Sequence, residues 1–478
     1  MKKLLIIIFI IGLSACKKNY LTVEPETNQN GANYFKTLDQ FVKALNGAYA
    51  PLHGLYTRSY WEIAEMRSDN TSYQLNTDDR SGNLREELDE FREINLNDDV
   101  QDFLQGNYLG IGRCNVILTR LPKAAISDAK ATDEIIGQAS FLRAYYYFNL
   151  VRMFGEVPLI LEEITSTENA FSLNKRKPAA DIYISIINDL NLAITKLPEV
   201  FDEKGRATKG AARILLADVY LSTHKYDLAI QKLRPLLTSN YHLLENYADN
   251  FDVKKKNGPE SIFEIQFMEG PNGLGSDFTD LFAPWDSPDG LVTGFEITHD
   301  TGNGWNIPTQ DLLDAYEEGD LRRAASIDEN YESENTGKIV PYIKKYNSVH
   351  AVREITGNNF PVYRYSNVLL MLAECLNETG MSVEAIPYLN QVRKRAGLPD
   401  FLRTGQAELR RAILHERRIE FAFENQRWYD LLRTGTALEV MTRHAAKEKK
   451  EKNYLSVAAY GNIRLLYQYP QRDINLQQ

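Results

Sequence analysis

Two stretches, ARILLADVYLSTHKYDLAIQKL (residues 212–233) and VLLMLAECLNETGMSVEAIPYL (residues 368–389), repeat one another. Each sets an alanine on a first apolar stretch and another twelve residues later, Ala217 with Ala229 and Ala373 with Ala385; Leu233 and Leu389 follow four residues on. Small residues let antiparallel helices approach closely, and the larger residue fills the groove beside them. That is the tetratricopeptide spacing. Phe141 to Phe154, with Ala144 as its small residue, reads as a degenerate first helix of the same kind. Two matches fall short of the three or so repeats that a free solenoid needs. Either degenerate pairs exist elsewhere or these pairs pack on something else.

Outward from these pairs, helical periodicity dominates. Apolar residues recur at i, i+3, i+4 over 36–49, 103–121, 133–153, 179–197, 209–222, 227–237, 310–316, 365–378, 382–396 and 406–432, each pattern predicting one helix. Strand signals are few. Ser261 to Phe267 alternates with period two and is the best of them. Residues 268–309 turn rich in Gly, Pro and Asp and hold Trp285 and Trp305, two of the four tryptophans. The expectation is a mostly α fold whose helix pairs form a scaffold for a loop-rich part with few short strands.

The start of the chain has a separate logic. The apolar run Leu4 to Leu13 spans ten residues, half of the roughly 20 that a membrane-crossing helix requires. With Lys2 and Lys3 ahead of it, it reads as a removable signal peptide, residues 1–15. Leu13-Ser14-Ala15-Cys16 matches the bacterial lipobox, which makes Cys16 the first mature residue and the site of lipidation. Residues 16–35 then read as a tether. Several acyl chains on one N-terminus anchor far more firmly than a single myristoyl group.

Composition excludes several function classes. The formal net charge is -10, and loss of Lys2 and Lys3 with the signal makes the mature chain two units more acidic. A nucleic-acid partner needs a basic stripe, and Lys447 to Lys452 is interleaved with acids and reads as a solvated helix face. Cys114 and Cys375 sit in apolar helical patterns and read as buried thiols, with no disulfide framework. No two of the seven histidines are four apart and no phosphate loop occurs, so neither a zinc helix nor a nucleotide site is expected. Asn76 to Gly82 places oxygen ligands near a glycine, but Arg80 takes a ligand position, and the segment reads as a solvated acidic loop. Neither metal nor cofactor is expected, and the chain is not expected to be an enzyme. The 27 tyrosines suit half-buried helix contacts and sugar rings alike.

Five longer blocks occur in order: FLRAYYYFNLVRMFGEVPLI (141–160), GRATKGAARILLADVYL (205–221), FPVYRYSNVLLMLAEC (360–375), LNQVRKRAGLP (389–399) and HERRIEFAFENQRWYDLLRTG (415–435). Together they resemble the SusD/RagB family of outer-membrane lipoproteins. The resemblance implies one compact unit with four tetratricopeptide-like helix pairs, made of an N-terminal part, 36–240, and a C-terminal part, 241–478. It also implies a lid on a SusC-like TonB-dependent transporter, importing glycans or, in some relatives, peptides. A lipid-anchored tetratricopeptide adaptor with no sugar ligand is the reading from another class. Two departures stand out: Ser366 where Ala is usual, and Asp473 in place of Glu in the closing Pro-x-x-Glu-Ile segment.

In the last block, Glu424 with Arg427 and Asp430 with Arg433 are spaced as i, i+3 pairs, so the block reads as a core helix with a charged outer edge. Ligand-binding candidates are Trp285 and Trp305, because loops on a rigid scaffold present functional residues. Asp69, Asn70 and Tyr73 join them, from a region resembling one that supplies binding residues in the family. Replacing Cys16 with Ala should release the protein from the membrane fraction in soluble form; retention in wild-type amount would sink the lipidation reading.

Overall fold

The chain is described by a computed structural model over residues 34–77, 80, 82–270, 274–288, 290–294 and 302–476. Cys16, and Asp78, Asp79 and Ser81 of the acidic loop, lie outside the described residues. Helix α1 (Leu38–Gly54) starts at a capping box in which Thr37 and Gln40 satisfy each other's backbone. It buries Phe41, Leu45, Ala48 and Leu52 along one face. Asn97, Asp128 and Thr208 cap α2 (Asp98–Arg120), α3 (Ala129–Phe154) and, beyond α4 (Ala179–Lys196), α5 (Lys209–Ser222). Then come α6 (Tyr226–Leu233), α7 (Tyr365–Glu378), α8 (Ser382–Arg395), α9 (Gln406–Glu420), α10 (Arg427–Arg433) and α11 (Ala437–Glu451). From α1 to α8 each helix packs on the next, giving four tetratricopeptide-like pairs. Ala217, Ala229, Ala373 and Ala385 are fully buried where the paired helices meet, as their spacing predicts.

Helix α3 is buried almost all round over its second half, which marks an interior helix. It carries Tyr145, Tyr146 and Tyr147 into the core, and their hydroxyls find partners. Tyr146 donates to the Ala48 carbonyl at 2.7 Å and Tyr147 to that of Ile160 at 2.9 Å, while Tyr145 bonds the Tyr56 hydroxyl. Much of the tyrosine content is therefore spent on helix contacts. Arg143 holds α4 through a bidentate pair with Asp189, at 2.8 and 2.7 Å. One hydrophobic core runs from Phe41 to Tyr469. Cys114 and Cys375 are buried free thiols. Among the described residues no helix is long and apolar enough to cross a membrane.

The predicted strand forms as β1 (Ser261–Ile265) and pairs antiparallel with β2 (Phe360–Arg364), whose last residue organises the interior. Arg364 is fully buried; its guanidinium donates to Glu260 at 2.6 Å, Glu420 at 2.9 Å and Glu424 at 2.8 and 3.0 Å. It also donates to Ser366 Oγ at 2.9 Å, so the serine that departs from the family pattern completes the shell. Arg395 of α8 pairs with Glu260 and Glu420, and Arg322 with Asp320, Glu416 and Glu420. Burial pushes the Glu420 carboxyl up, but Arg395, Arg364 and Arg322 outweigh it and hold the group well below the usual range.

The single helix expected over 406–432 is broken. Phe423 and Asn425 take left-handed backbone, with φ of 66° and 59°, and the corner at 421–425 separates α9 from α10. The break is held by long-range partners. The Phe423 and Asn425 N–H groups donate to the buried Glu65 carboxylate at 3.1 and 2.7 Å, and Lys345 Nζ donates to the Ala422 carbonyl at 2.7 Å. The corner also undoes the charged outer edge. Glu424 pairs with Arg364 and Lys345, Arg427 pairs with Asp69, and the Asp430–Arg433 pair forms inside the protein. Within 447–452, Glu448 is likewise buried and paired with Lys452, so that stretch is only partly a solvated face.

Removing one member of a buried ionic network leaves its partners uncompensated. Glu420→Ala should therefore cost about 3–5 kcal/mol, read as a lower urea midpoint at unchanged slope; a loss under about 1 kcal/mol would show that the network does not hold the fold.

Candidate loop-borne binding site

Three segments lie side by side above the helices. Residues 281–288 and 302–305 are joined by N–H groups of Gly302, Gly304 and Trp305 donating to the carbonyls of Ser287, Ala283 and Leu281, at 3.1, 2.7 and 3.1 Å. Residues 69–76 join from the other side. Thr71–Ser72 pairs with Ile307–Pro308, and Gln74 N–H donates to the Gly304 carbonyl at 2.7 Å. The sequence permits this closeness only through its glycines: a Cβ on Gly302 would stand 2.4 Å from the Pro284 carbonyl oxygen, and Gly304 has φ of 67°. A fourth segment is tied in by Asp286, whose carboxylate accepts from the Ser333 hydroxyl and whose carbonyl accepts from Tyr331 at 2.8 Å. The result is a rigid loop platform.

The two tryptophans occupy it differently. Trp305 packs against the core, its ring 6.5 Å from that of Trp61, and the Arg85 guanidinium lies over it at 4.0 Å. Arg85 is fixed in turn by the buried Glu62. A Cβ on Gly82 would stand 2.8 Å from the Trp305 indole nitrogen. This ring is wedged in place, with a cation–π contact on one side. Trp285 is half-buried, its backbone N–H is fixed by Gln74 Oε1 at 3.0 Å, and its ring belongs to neither hydrophobic cluster of the described residues. It is the freer aromatic face.

The other three sequence candidates are interior. Asp69, Asn70 and Tyr73 are 3, 0 and 2% exposed. Arg427 grips both Asp69 oxygens at 2.7 and 2.9 Å, and Arg418 pairs with the same carboxylate at 3.0 Å. Burial pushes that carboxyl up, yet the two arginines hold it well below its usual range. Asn70 Oδ1 accepts from Arg418 at 2.8 Å, and the Tyr73 hydroxyl donates to Glu90. These residues brace the platform; in this structure they do not line it, because Asp69 and Asn70 are drawn inward by arginines of α9 and α10, far away in sequence, and Tyr73 by Glu90. Sequence reasoning missed Gln74, Arg85, Asp286 and Tyr331, and no local spacing marks them. Among the described residues the side-chain oxygens of Asn303 and Asn306 are buried without a partner; Asn306 is interior, at 1% exposed, while Asn303 is partly exposed next to Gly304, whose Cβ position lies 3.1 Å from that of Trp285. Among the described residues no group of three His, Cys, Asp or Glu is placed to hold a metal ion.

Two family models match the chain. A model of the SusD family covers residues 325–478, and one described as starch-binding associating with outer membrane covers residues 19–221. A SusD-like protein of Formosa agariphila is 29% identical over 490 aligned positions, spanning 91% of this chain and 90% of that protein. Among solved structures, a laminarin-binding SusD-like protein superposes with a TM-score of 0.76 at 25% identity, covering 93% of this chain and 98% of the other. Surface glycan-binding protein A from Bacteroides thetaiotaomicron in complex with laminarihexaose gives 0.75 at 23% identity, covering 91% and 97%.

The packing separates the two tryptophans by stability. Trp305→Ala should lower the unfolding free energy by roughly 2–3 kcal/mol, short of the cost for a fully buried ring, whereas Trp285→Ala should stay within about 0.5 kcal/mol. Equal effects by thermal denaturation would contradict the assignment.

Proposed function

The chain belongs to the SusD family, and from that premise we propose that it is a surface lipoprotein, anchored through Cys16, that binds oligo- or polysaccharide and hands it to a SusC-like TonB-dependent outer-membrane transporter. The observation that carries the ligand class is the half-exposed Trp285 on a platform of four hydrogen-bonded segments. A sugar ring offers an apolar C–H face to an aromatic plane and hydroxyls to planar polar groups around it. Trp285 supplies the plane, and the partly exposed Asn303 supplies an amide group within the same loops. Trp305 takes part through its position, since its wedge with Arg85 fixes the loop segment that carries Asn303. Asp69, Asn70 and Tyr73 act as braces.

The relatives support the same reading: one structural neighbour is a laminarin-binding SusD-like protein and another a surface glycan-binding protein in complex with laminarihexaose, and the family model over residues 19–221 is described by its association with the outer membrane. An anchored lid beside a transporter needs no catalytic group, and binding suffices for its task.

The test is a glycan and peptide array on the mature protein, followed by calorimetry on the hits. If stacking dominates, Trp285→Ala should weaken binding by about 1–3 kcal/mol, the range for bases stacked on aromatic side chains, with the melting temperature unchanged. Unchanged affinity would eliminate this site, and hits among peptides alone would move the reading to peptide uptake.

A further inference from the structure

A crevice on the helical body shares no residue with the loop platform. It measures about 760 Å³ and lies between the α4–α5 connection (199–208), residues 235–241 and the turn into β1, 257–264. Small-ligand sites span roughly 300–1,000 Å³. Its walls are fixed before any ligand arrives. Lys209 N–H donates to the Pro198 carbonyl at 2.9 Å and Ala207 N–H to the Tyr49 hydroxyl at 3.0 Å, which ties the first wall to α1. The second wall is tied to the third: His242 N–H donates to the Pro259 carbonyl at 3.1 Å, and Leu244 N–H to the buried Glu260 carboxylate at 2.8 Å. In the third, Asn257 takes left-handed backbone, with φ of 53°, and its N–H donates to Glu264 at 3.1 Å. A crevice built this way has little left to order when a ligand binds.

The chemistry of the lining narrows the ligand. It holds three carboxylates, Glu199, Glu203 and Glu264, and three cations, Lys204, Arg206 and Arg213. Each carboxylate is engaged: Glu199 by Arg213 and, from behind, by Lys209; Glu203 by Arg206; Glu264 by the Asn257 N–H and the Asn359 amide. What stays open is neutral. Tyr241 is half-buried, its hydroxyl 3.3 Å from Thr208 Oγ1 and its ring seated at the start of α5, where a Cβ on Gly210 would stand 2.7 Å from that hydroxyl. Phe201 and Val200, the latter 59% exposed, continue the apolar wall. Asn257 exchanges one hydrogen bond each way with Gln266, at 2.8 and 3.0 Å, which leaves its amide one N–H and one lone pair to offer. Asn240 adds an exposed amide.

We propose that this crevice is a second glycan site, taking a neutral oligosaccharide with one ring on Tyr241 and hydroxyls on Asn257 and Asn240; the choice of sugar over other neutral ligands rests on the reading above. Aromatic planes beside planar amides meet the C–H face and the hydroxyls of a sugar ring. An acidic glycan fits worse, because its carboxylates would have to take Arg206 and Arg213 from Glu203 and Glu199, and one exposed lysine adds little.

The experiment follows hydrogen exchange of the mature protein with laminarihexaose, maltohexaose, xylohexaose and hexagalacturonate as probes. At ten times the dissociation constant a neutral hexamer should slow exchange over residues 239–244 and 257–261 about tenfold, independently of residues 302–306 on the platform. Tyr241→Ala should abolish the first effect and spare the second, and Trp285→Ala the reverse. Tyr241→Phe keeps the ring and should bind within about twofold of the unaltered chain. Asn257→Gly tolerates the left-handed backbone and should weaken crevice binding about two- to tenfold, which keeps the test decisive if melting shows Tyr241→Ala to be unfolded. Crevice protection that survives both Tyr241→Ala and Asn257→Gly, that vanishes with Trp285→Ala, or that hexagalacturonate alone produces would overturn the proposal. Protection at 302–306 only strikes this site and leaves the platform reading standing. Protection at neither place by any hexamer strikes the glycan reading itself, and this inference with it.

Discussion

The guanidinium of Arg364, closed off from water among Glu260, Glu420 and Glu424, is where the separate parts of the chain meet. Its backbone ends β2 and opens α7; its carboxylate partners come from the start of β1 and from the α9–α10 corner. Arg395 and Arg322 extend the same network into α8 and the irregular part. An apolar cluster of equal volume could match such a network in stability. It could not fix direction, because only hydrogen bonds set at 2.6 to 3.0 Å dictate how the strand end, the helix and the corner are turned toward one another. The helix pairs supply buried area, and the charges decide how they join the loops above.

Most of the scaffold was legible because its causes are local. Alanine spacing, helical periodicity and cap residues act within a turn or two, and the helices at 209–222 and 365–378 form with the bounds expected of them. What failed to show was nonlocal. The stretch from Gln406 to Leu432 has helical propensity throughout and is interrupted only because Glu65 and Lys345 satisfy its broken backbone from elsewhere. The i, i+3 charges of the same stretch suggested a solvated edge, since spacing along one helix cannot reveal that Arg364 and Asp69 wait inside. β2 also went unread as a strand, because Phe360 to Arg364 is apolar on both faces and needs β1 to define it.

The binding platform was half legible. Gly-, Pro- and Asp-rich composition located the loops and both tryptophans, since those residue types permit tight turns and close backbone approach. The difference between the two rings was not visible, because it depends on Arg85, more than 200 positions away, lying on one of them. The same limit explains Asp69 and Asn70, which look solvated until Arg418 and Arg427 are placed, and Tyr73, whose hydroxyl is taken up by Glu90.

The bonds from Phe423 and Asn425 to Glu65 bridge 358 and 360 positions of chain. A polypeptide made from its N-terminus therefore displays the acceptor long before its donors exist. Helix pairs can form early from neighbours in sequence, yet the corner that locks α9 against α10 closes only after nearly the whole chain has been made, which is the slow, late event expected of contacts with such high contact order. In the finished fold burial pushes the Glu65 carboxyl up to about 7, against the pull of Asn70 and of the Phe423 and Asn425 N–H groups, so those late donors act on a group that has little else to hold it. A chain cut short before residue 423 never receives either donor. Completeness of synthesis is thus written into stability, and a truncated product carries an opening that proteases can use.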